Sequence, residues 1–256
     1  MKRFFQILFS VLFAAGIATL MGYVYYKHIQ QPVKAITIHV ERKDKEGFLS
    51  KEDILQKVKN IIPGETRIKD IDYEVIEKLI NHSPWVAESD VFTDIDGDLM
   101  INVKEKQPVL RVFPQNSKGF YLDINGNIVP LSSRYAPRVL VANGYLKTKP
   151  VAGHPNIYDT VYKSKELRKL LAISRSVSGY PFLNALIGEI YLNSLGEVDL
   201  VPTFGADIIR IGNTSGLNEK LENLIVFYKK ALVYEGWNKY QTLNLKYKDQ
   251  IICTKN

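Results

Sequence analysis

The sequence predicts an α+β protein with a single N-terminal transmembrane helix, a small strand–helix–helix–strand–strand unit, and then a strand-rich β domain with two helices. Three observations predict it. Residues 4–26 carry no charge. Between residues 36 and 104, alternating apolar runs bracket two segments of helical spacing. Beyond Pro108, short alternating runs recur between turn residues.

Composition bounds the rest. A chain of 256 residues, 46% hydrophobic and 24% charged, holds one large domain or two small ones plus an anchor, and is not disordered by composition. The net charge is +7, and Lys2 with Arg3 supply two of those positives. The excess is dispersed, as in Glu41-Arg42-Lys43-Asp44-Lys45-Glu46, a solvated loop. No basic cluster with interleaved aromatics marks a nucleic-acid surface, so the charge suits a face near anionic lipid. The single cysteine, Cys253, excludes an intramolecular disulfide and a Cys-based metal site.

The segment Phe4–Tyr26 is apolar throughout. At about 1.5 Å per residue it reaches roughly 34 Å, enough to cross a hydrocarbon core with some tilt. Tyr23, Tyr25 and Tyr26 close it as interfacial aromatics do. The run is too long for a cleaved signal peptide and lacks the small-residue cleavage site. Lys2 and Arg3 before it, with a long domain after it, predict a cytoplasmic tail over residues 1–3 and everything past the helix on the far side.

Gln30-Gln31-Pro32 reads as a linker. Ile36–Glu41 alternates as a strand. Ser50-Lys51-Glu52-Asp53 has the character of a capping box and starts a helix carrying Ile54, Leu55, Val58, Ile61 and Ile62, which Pro63-Gly64 stops. A second helix starts near Asp72, with Tyr73, Ile76, Leu79 and Ile80 on one face, and ends at Pro84. Val86–Asp94 and Leu99–Lys104 form a hairpin around Asp96-Gly97. Such a unit packs two helices on one face of a small mixed sheet.

Strands follow at Val109–Phe113, Gly119–Leu122, Ile128–Leu131 and Val139–Val141, with Asn125-Gly126 as a hairpin turn. Residues 147–158 read as a surface loop. Ser164 is placed to cap a helix carrying Leu167, Leu170, Leu171 and Val177. Leu186–Leu192, Gly196–Val201 and Asp207–Ile211 are strands. A last helix has Leu217, Leu221, Leu224, Tyr228 and Leu232 on one face, and Gln241–Tyr247 and Gln250–Thr254 end the chain as strands.

Catalytic signatures are missing. His28, His39, His82 and His154 have no metal-ligand spacing among themselves. Asp94-Ile95-Asp96-Gly97-Asp98 and Asp123-Ile124-Asn125-Gly126-Asn127 resemble the opening of a calcium loop, but Gly stands fourth where a calcium loop needs it sixth. Each lies between alternating apolar runs and reads as a hairpin turn. No cofactor and no metal is expected.

These residues carry a resemblance. The strand-helix-helix-strand-strand unit behind one membrane helix resembles a POTRA domain. Ser83-Pro84-Trp85-Val86, then Leu99-x-Ile101-x-Val103-x-Glu105-x-Gln107-Pro108-Val109, resembles the bacterial cell-division family FtsQ/DivIB. So do the hairpin from Tyr121 to Pro130 and the terminal strand Leu243-Asn244-Leu245-Lys246-Tyr247. Lys246 stands where that family usually has Arg, which replaces a bidentate fork by a point charge.

The resemblance implies a POTRA domain over 33–107 and an FtsQ-type β domain over 108–256. It implies a non-catalytic scaffold of the division machinery in the inner membrane, periplasmic in its C-terminal domain and gathered at the septum. The implied partners are FtsB-like and FtsL-like coiled-coil proteins, with no nucleic acid and no small-molecule substrate. Binding is expected by strand addition at the last strand, through Gln250, Ile251, Ile252, Cys253 and Thr254, with Lys246 and Tyr247 beside it. Two other readings compete. A POTRA scaffold in outer-membrane protein assembly usually precedes a β-barrel, and a membrane-anchored cell-wall hydrolase needs a nucleophile or metal site.

Overall fold

The computed structural model describes residues 2–153, 155–163, 165–237 and 239–255. Ser164 and His154, singled out above, lie outside the described residues. The chain divides into two compact units after Glu105.

The first unit opens with α1 (Lys2–Ile29), the one helix among the described residues long and apolar enough to cross a membrane. Its side chains from Phe4 to Tyr26 are all exposed. A soluble helix would have to hide such a surface, so the apolar run belongs in hydrocarbon. The helix runs past the expected end at Tyr26, and the linker behind it is not free chain. The Ile68 N–H donates to the Gln31 carbonyl at 3.0 Å, and the Val33 N–H to that of Thr66 at 3.0 Å.

Three strands, β1 (Ile36–Glu41), β2 (Val86–Thr93) and β3 (Leu99–Glu105), form a mixed sheet in the order β1-β3-β2, with β1 parallel and β2 antiparallel to β3. Two helices, α2 (Lys51–Lys59) and α3 (Tyr73–Asn81), supply its core. Their starts follow from single side chains. Ser50 Oγ accepts from the N–H groups of Glu52 and Asp53, and Asp72 Oδ1 accepts from that of Val75. Val58, Ile76, Leu99 and Ile101 are fully buried, each contributing about 1.5–3 kcal/mol of burial free energy.

The second unit is a nine-stranded sheet with helices on one face. Its strands are β4 (Pro108–Val112), β5 (Phe120–Asp123), β6 (Ile128–Pro130), β7 (Leu140–Gly144), β8 (Ile187–Leu192), β9 (Val198–Pro202), β10 (Ile208–Gly212), β11 (Tyr240–Asn244) and β12 (Ile252–Lys255). They lie in the order β12-β11-β10-β9-β8-β7-β4-β5-β6. Helix α4 (Glu166–Ser178) and a last helix running from Leu217 to Glu235 bury Leu170, Leu171, Leu221, Leu224 and Tyr228 against Leu110, Ile190, Leu200 and Ile209. That last helix is α6 (Leu217–Val226), a π turn (Phe227–Ala231) and α7 (Leu232–Glu235).

Between α4 and β8 the structure adds α5 (Pro181–Leu186), which the sequence reading leaves out. Its six residues are too few to show a period, and Pro181 at its first position is a helix start that reads equally as a turn. The 147–158 stretch is also more than a surface loop. Ile157 is fully buried, the Ile128 N–H donates to the Pro155 carbonyl at 2.6 Å, and Asn127 bridges to Asn156.

One turn recurs. Asp94, Asp123 and Asn193 each accept, through one side-chain oxygen, the backbone N–H groups two and four residues on, at 2.7–3.0 Å. Gly97, Gly126 and Gly196 follow with φ of +93°, +82° and +73°. These are three-residue hairpin loops closed by a left-handed glycine. The first carboxylate of each calcium-like stretch, Asp94 and Asp123, is thus taken up by its own backbone.

Candidate functional site

The two edges of the nine-stranded sheet differ. At β6 the 155–157 segment lies along the outer side and takes up the Ile128 N–H. At the opposite end β12 pairs only with β11, antiparallel, with Leu243 opposite Cys253 and Asn244 opposite Ile252. Its outward N–H and C=O groups have no protein partner among the described residues.

Alternation sorts the candidate residues. Cys253 faces the core against Leu243, and Ile251 packs on the same cluster. Burial pushes the Cys253 thiol up, away from the reactive thiolate. Ile252, 46% exposed, and Thr254 point to the helix-free face. The strand is shorter than expected: Gln250 and Ile251 precede it, and Lys246 and Tyr247 lie past the end of β11.

The strand expected to run to Tyr247 stops at Asn244, because the ladder breaks at Leu245. Its N–H donates to the Arg210 carbonyl, and the Lys246 N–H donates to Asn244 Oδ1. Asp249 then turns the chain with φ of +58°, a conformation that Asp tolerates better than most residues.

Lys246 is not free. Its Nζ lies 2.6 Å from Glu197 Oε1, and that hydrogen bond holds the Glu197 carboxyl below its ordinary range. Gly212, at φ of +74°, makes room for the lysine stem, since a Cβ there would come within 2.9 Å of Lys246 Cγ. Tyr247 is half exposed.

The sequence reading places the last helix but gives it no part in this edge. A groove of about 420 Å³ lies between the last helix and the approach to β12, lined by Asn223, Val226, Phe227, Lys230, Gln250 and Ile251 among others. Val226 and Val233 are exposed apolar residues off the core stripe of Leu217, Leu221 and Leu224. That second stripe was the available signal. The π turn, which sets Phe227 and Lys230 at the groove, had none.

No group of three or more His, Cys, Asp or Glu is placed to hold a metal ion among the described residues.

Comparison with known proteins matches residues 107–254 to a family model described as FtsQ/DivIB, C-terminal related. Residues 31–104 match a model described as POTRA-like domain. No curated protein matches.

Proposed function

The chain belongs to the FtsQ/DivIB C-terminal related family, and on that premise we propose that it is a membrane-anchored scaffold that holds other division proteins together by strand addition at β12. The family and the POTRA-like unit fit a division scaffold, and FtsQ/DivIB proteins are non-catalytic. The one N-terminal apolar helix fits a single-pass inner-membrane protein. In this reading its N-terminus is cytoplasmic, both folded units lie outside the cytoplasm, and the protein gathers at the septum. The partners are FtsB-like and FtsL-like coiled-coil proteins.

The observation that carries the proposal is the asymmetry of the large sheet. One edge is covered by the chain itself and the other is left open. An edge strand with unpaired N–H and C=O groups is a template for a partner strand, which a covered edge is not. Main-chain hydrogen bonds along β12 supply affinity. Ile252 and Thr254 on one face of the added strand, and the groove by Val226 and Lys230 on the other, supply selectivity.

Depleting the protein in its own cells tests the role. Long unseparated filaments are expected. Normal division with loss of outer-membrane proteins would favour the POTRA assembly reading instead.

A further inference from the structure

The first unit gathers three loops at the end where α1 enters it. β1 and β3 are parallel and both start there, at Ile36 and Leu99, so the 94–98 turn that feeds β3 lies at that end too. The Lys34 N–H donates to the Gly97 carbonyl at 3.1 Å and fixes the turn to the chain leaving α1. The connection from α2 to α3 is fixed there as well, through the Gln31–Ile68 and Val33–Thr66 hydrogen bonds. The Gln31 N–H in turn donates to the His28 carbonyl, within the end of α1.

These bonds set the loops at the membrane surface. The apolar run ends at Tyr26, and about 5 Å of helix separates it from Ile29. The headgroup layer is itself about 5–8 Å deep on each side. Gln31 therefore stands at the outer boundary of the headgroups. Gly97 stands with it, since a Cβ there would lie 3.9 Å from Gln31 Oε1.

Two isoleucines at this end stay out of the core. Ile95, at the tip of the turn, is 92% exposed, and Ile61, just past α2, is 40% exposed. Asp94 Oδ1 already holds the turn's backbone, so the Ile95 side chain has no part in the fold. One exposed isoleucine would need no explanation. Two at the end fastened to a membrane helix share one. Lys34, Arg67 and Lys69 are exposed around them, and so are Glu65, Asp70 and Asp96. A surface of both signs matches a zwitterionic headgroup, which carries an ammonium and a phosphate.

We propose that this end of the POTRA-like unit rests on the bilayer, with Ile95 and Ile61 set among zwitterionic phospholipid headgroups. The exposed carboxylates meet ammonium groups, and Lys34, Arg67 and Lys69 meet phosphates. The unit is then held at a fixed attitude, with β1 rising from the membrane. The loop from Arg42 to Leu49 faces away, about 20 Å further out at the far end of β1. The inference rests on the membrane-spanning reading of α1 and is independent of the β12 edge.

The test places the full chain, one copy per disc, in phosphatidylcholine nanodiscs that contain a lipid with a nitroxide on its headgroup. Cys253→Ser leaves a single thiol for a fluorescent probe, attached at Ile95→Cys or, at the far end, at Lys45→Cys. Headgroup quenching of at least half the emission is expected at position 95, and little or none at position 45. Replacing part of the lipid by phosphatidylglycerol should leave both values unchanged. A third probe, at Glu65→Cys, reads the contact itself. Ile61→Asp together with Ile95→Asp should cut its quenching by at least half.

Equal quenching at 95 and 45, quenching at 95 that needs phosphatidylglycerol, or unchanged quenching at 65 in the folded double variant overturns the proposal. The last result would mean that the tether alone brings the loops close. If the double variant does not fold, Ile95→Asp carries the test on the same terms. A chain that stays with the disc but shows no quenching at 95 removes the docking and leaves the anchor. A chain that does not stay with the disc overturns both.

Discussion

Glu105 ends β3 with 4% of its side chain exposed, and its two oxygens accept the backbone N–H groups of Phe48 and Leu49 at 3.2 and 2.9 Å. A buried carboxylate of this kind stands only while its acceptor sites are filled. Glu105→Ala should cost about 2–4 kcal/mol, read from a denaturant melt, because it orphans two buried donors. Gly47 lies against the same carboxylate, and a Cβ there would overlap it. Gly47→Ala should therefore cost about 1–3 kcal/mol by forcing the loop away. A neutral Gly47→Ala would show that the contact relaxes freely. Tyr228 offers a second residue-scale test. It is buried among Phe182, Phe204 and Trp237, with its hydroxyl donating to the Phe204 carbonyl at 3.3 Å. Burial pushes its phenol from an ordinary value of 10.0 up to about 12. The unfolded chain ionises first, so this contribution is whole below pH 10 and is lost as pH rises from 10 to about 12. Thermal melts should fall over that interval, and less steeply in Tyr228→Phe.

The decisive element is β12. Ile252 is exposed on its helix-free face, so Ile252→Asp should leave the melt close to wild type. The same change sets a charge in the path of an added strand and should abolish binding of an FtsB-like partner. Unchanged affinity in the folded variant would sink the edge-strand reading. The pair Lys246–Glu197 sharpens this test. Protonating Glu197 requires a pH below its ordinary range, so the pair is closed at neutral pH and a partner carboxylate must displace Glu197 to reach Lys246. Glu197→Gln should then strengthen binding of an acidic partner several-fold, measured as a dissociation constant. A weaker complex would mean that Glu197 itself contacts the partner.

For the molecule as a whole, the apolar helix reads as a tether and the folded units as the recognising parts. Exchanging residues 4–26 for an unrelated single-pass helix of equal length should therefore support division in depleted cells, scored by cell length. Persistent filaments with normal amounts of protein would place recognition in the helix itself.

The sequence by itself determined what is local or periodic. Ser50 and Asp72 announce their helices because a capping oxygen reaches N–H groups only two or three residues away. Leu99, Ile101 and Val103 announce their strand because alternation maps directly onto burial. Asp94 and Gly97 announce a hairpin because the whole turn is held within five residues. The charge-free span over residues 4–26 needs no fold to be read. What only the tertiary structure decided depends on groups far apart in sequence. Ile128 and Pro155 cover one sheet edge from 27 residues apart, and Glu197 takes Lys246 from 49 residues away. Ile95 shares one end of its unit with α1 only because β1 and β3 pair in parallel. No periodicity predicts such meetings, since they are set by strand order. That order is also what leaves β12 the open edge.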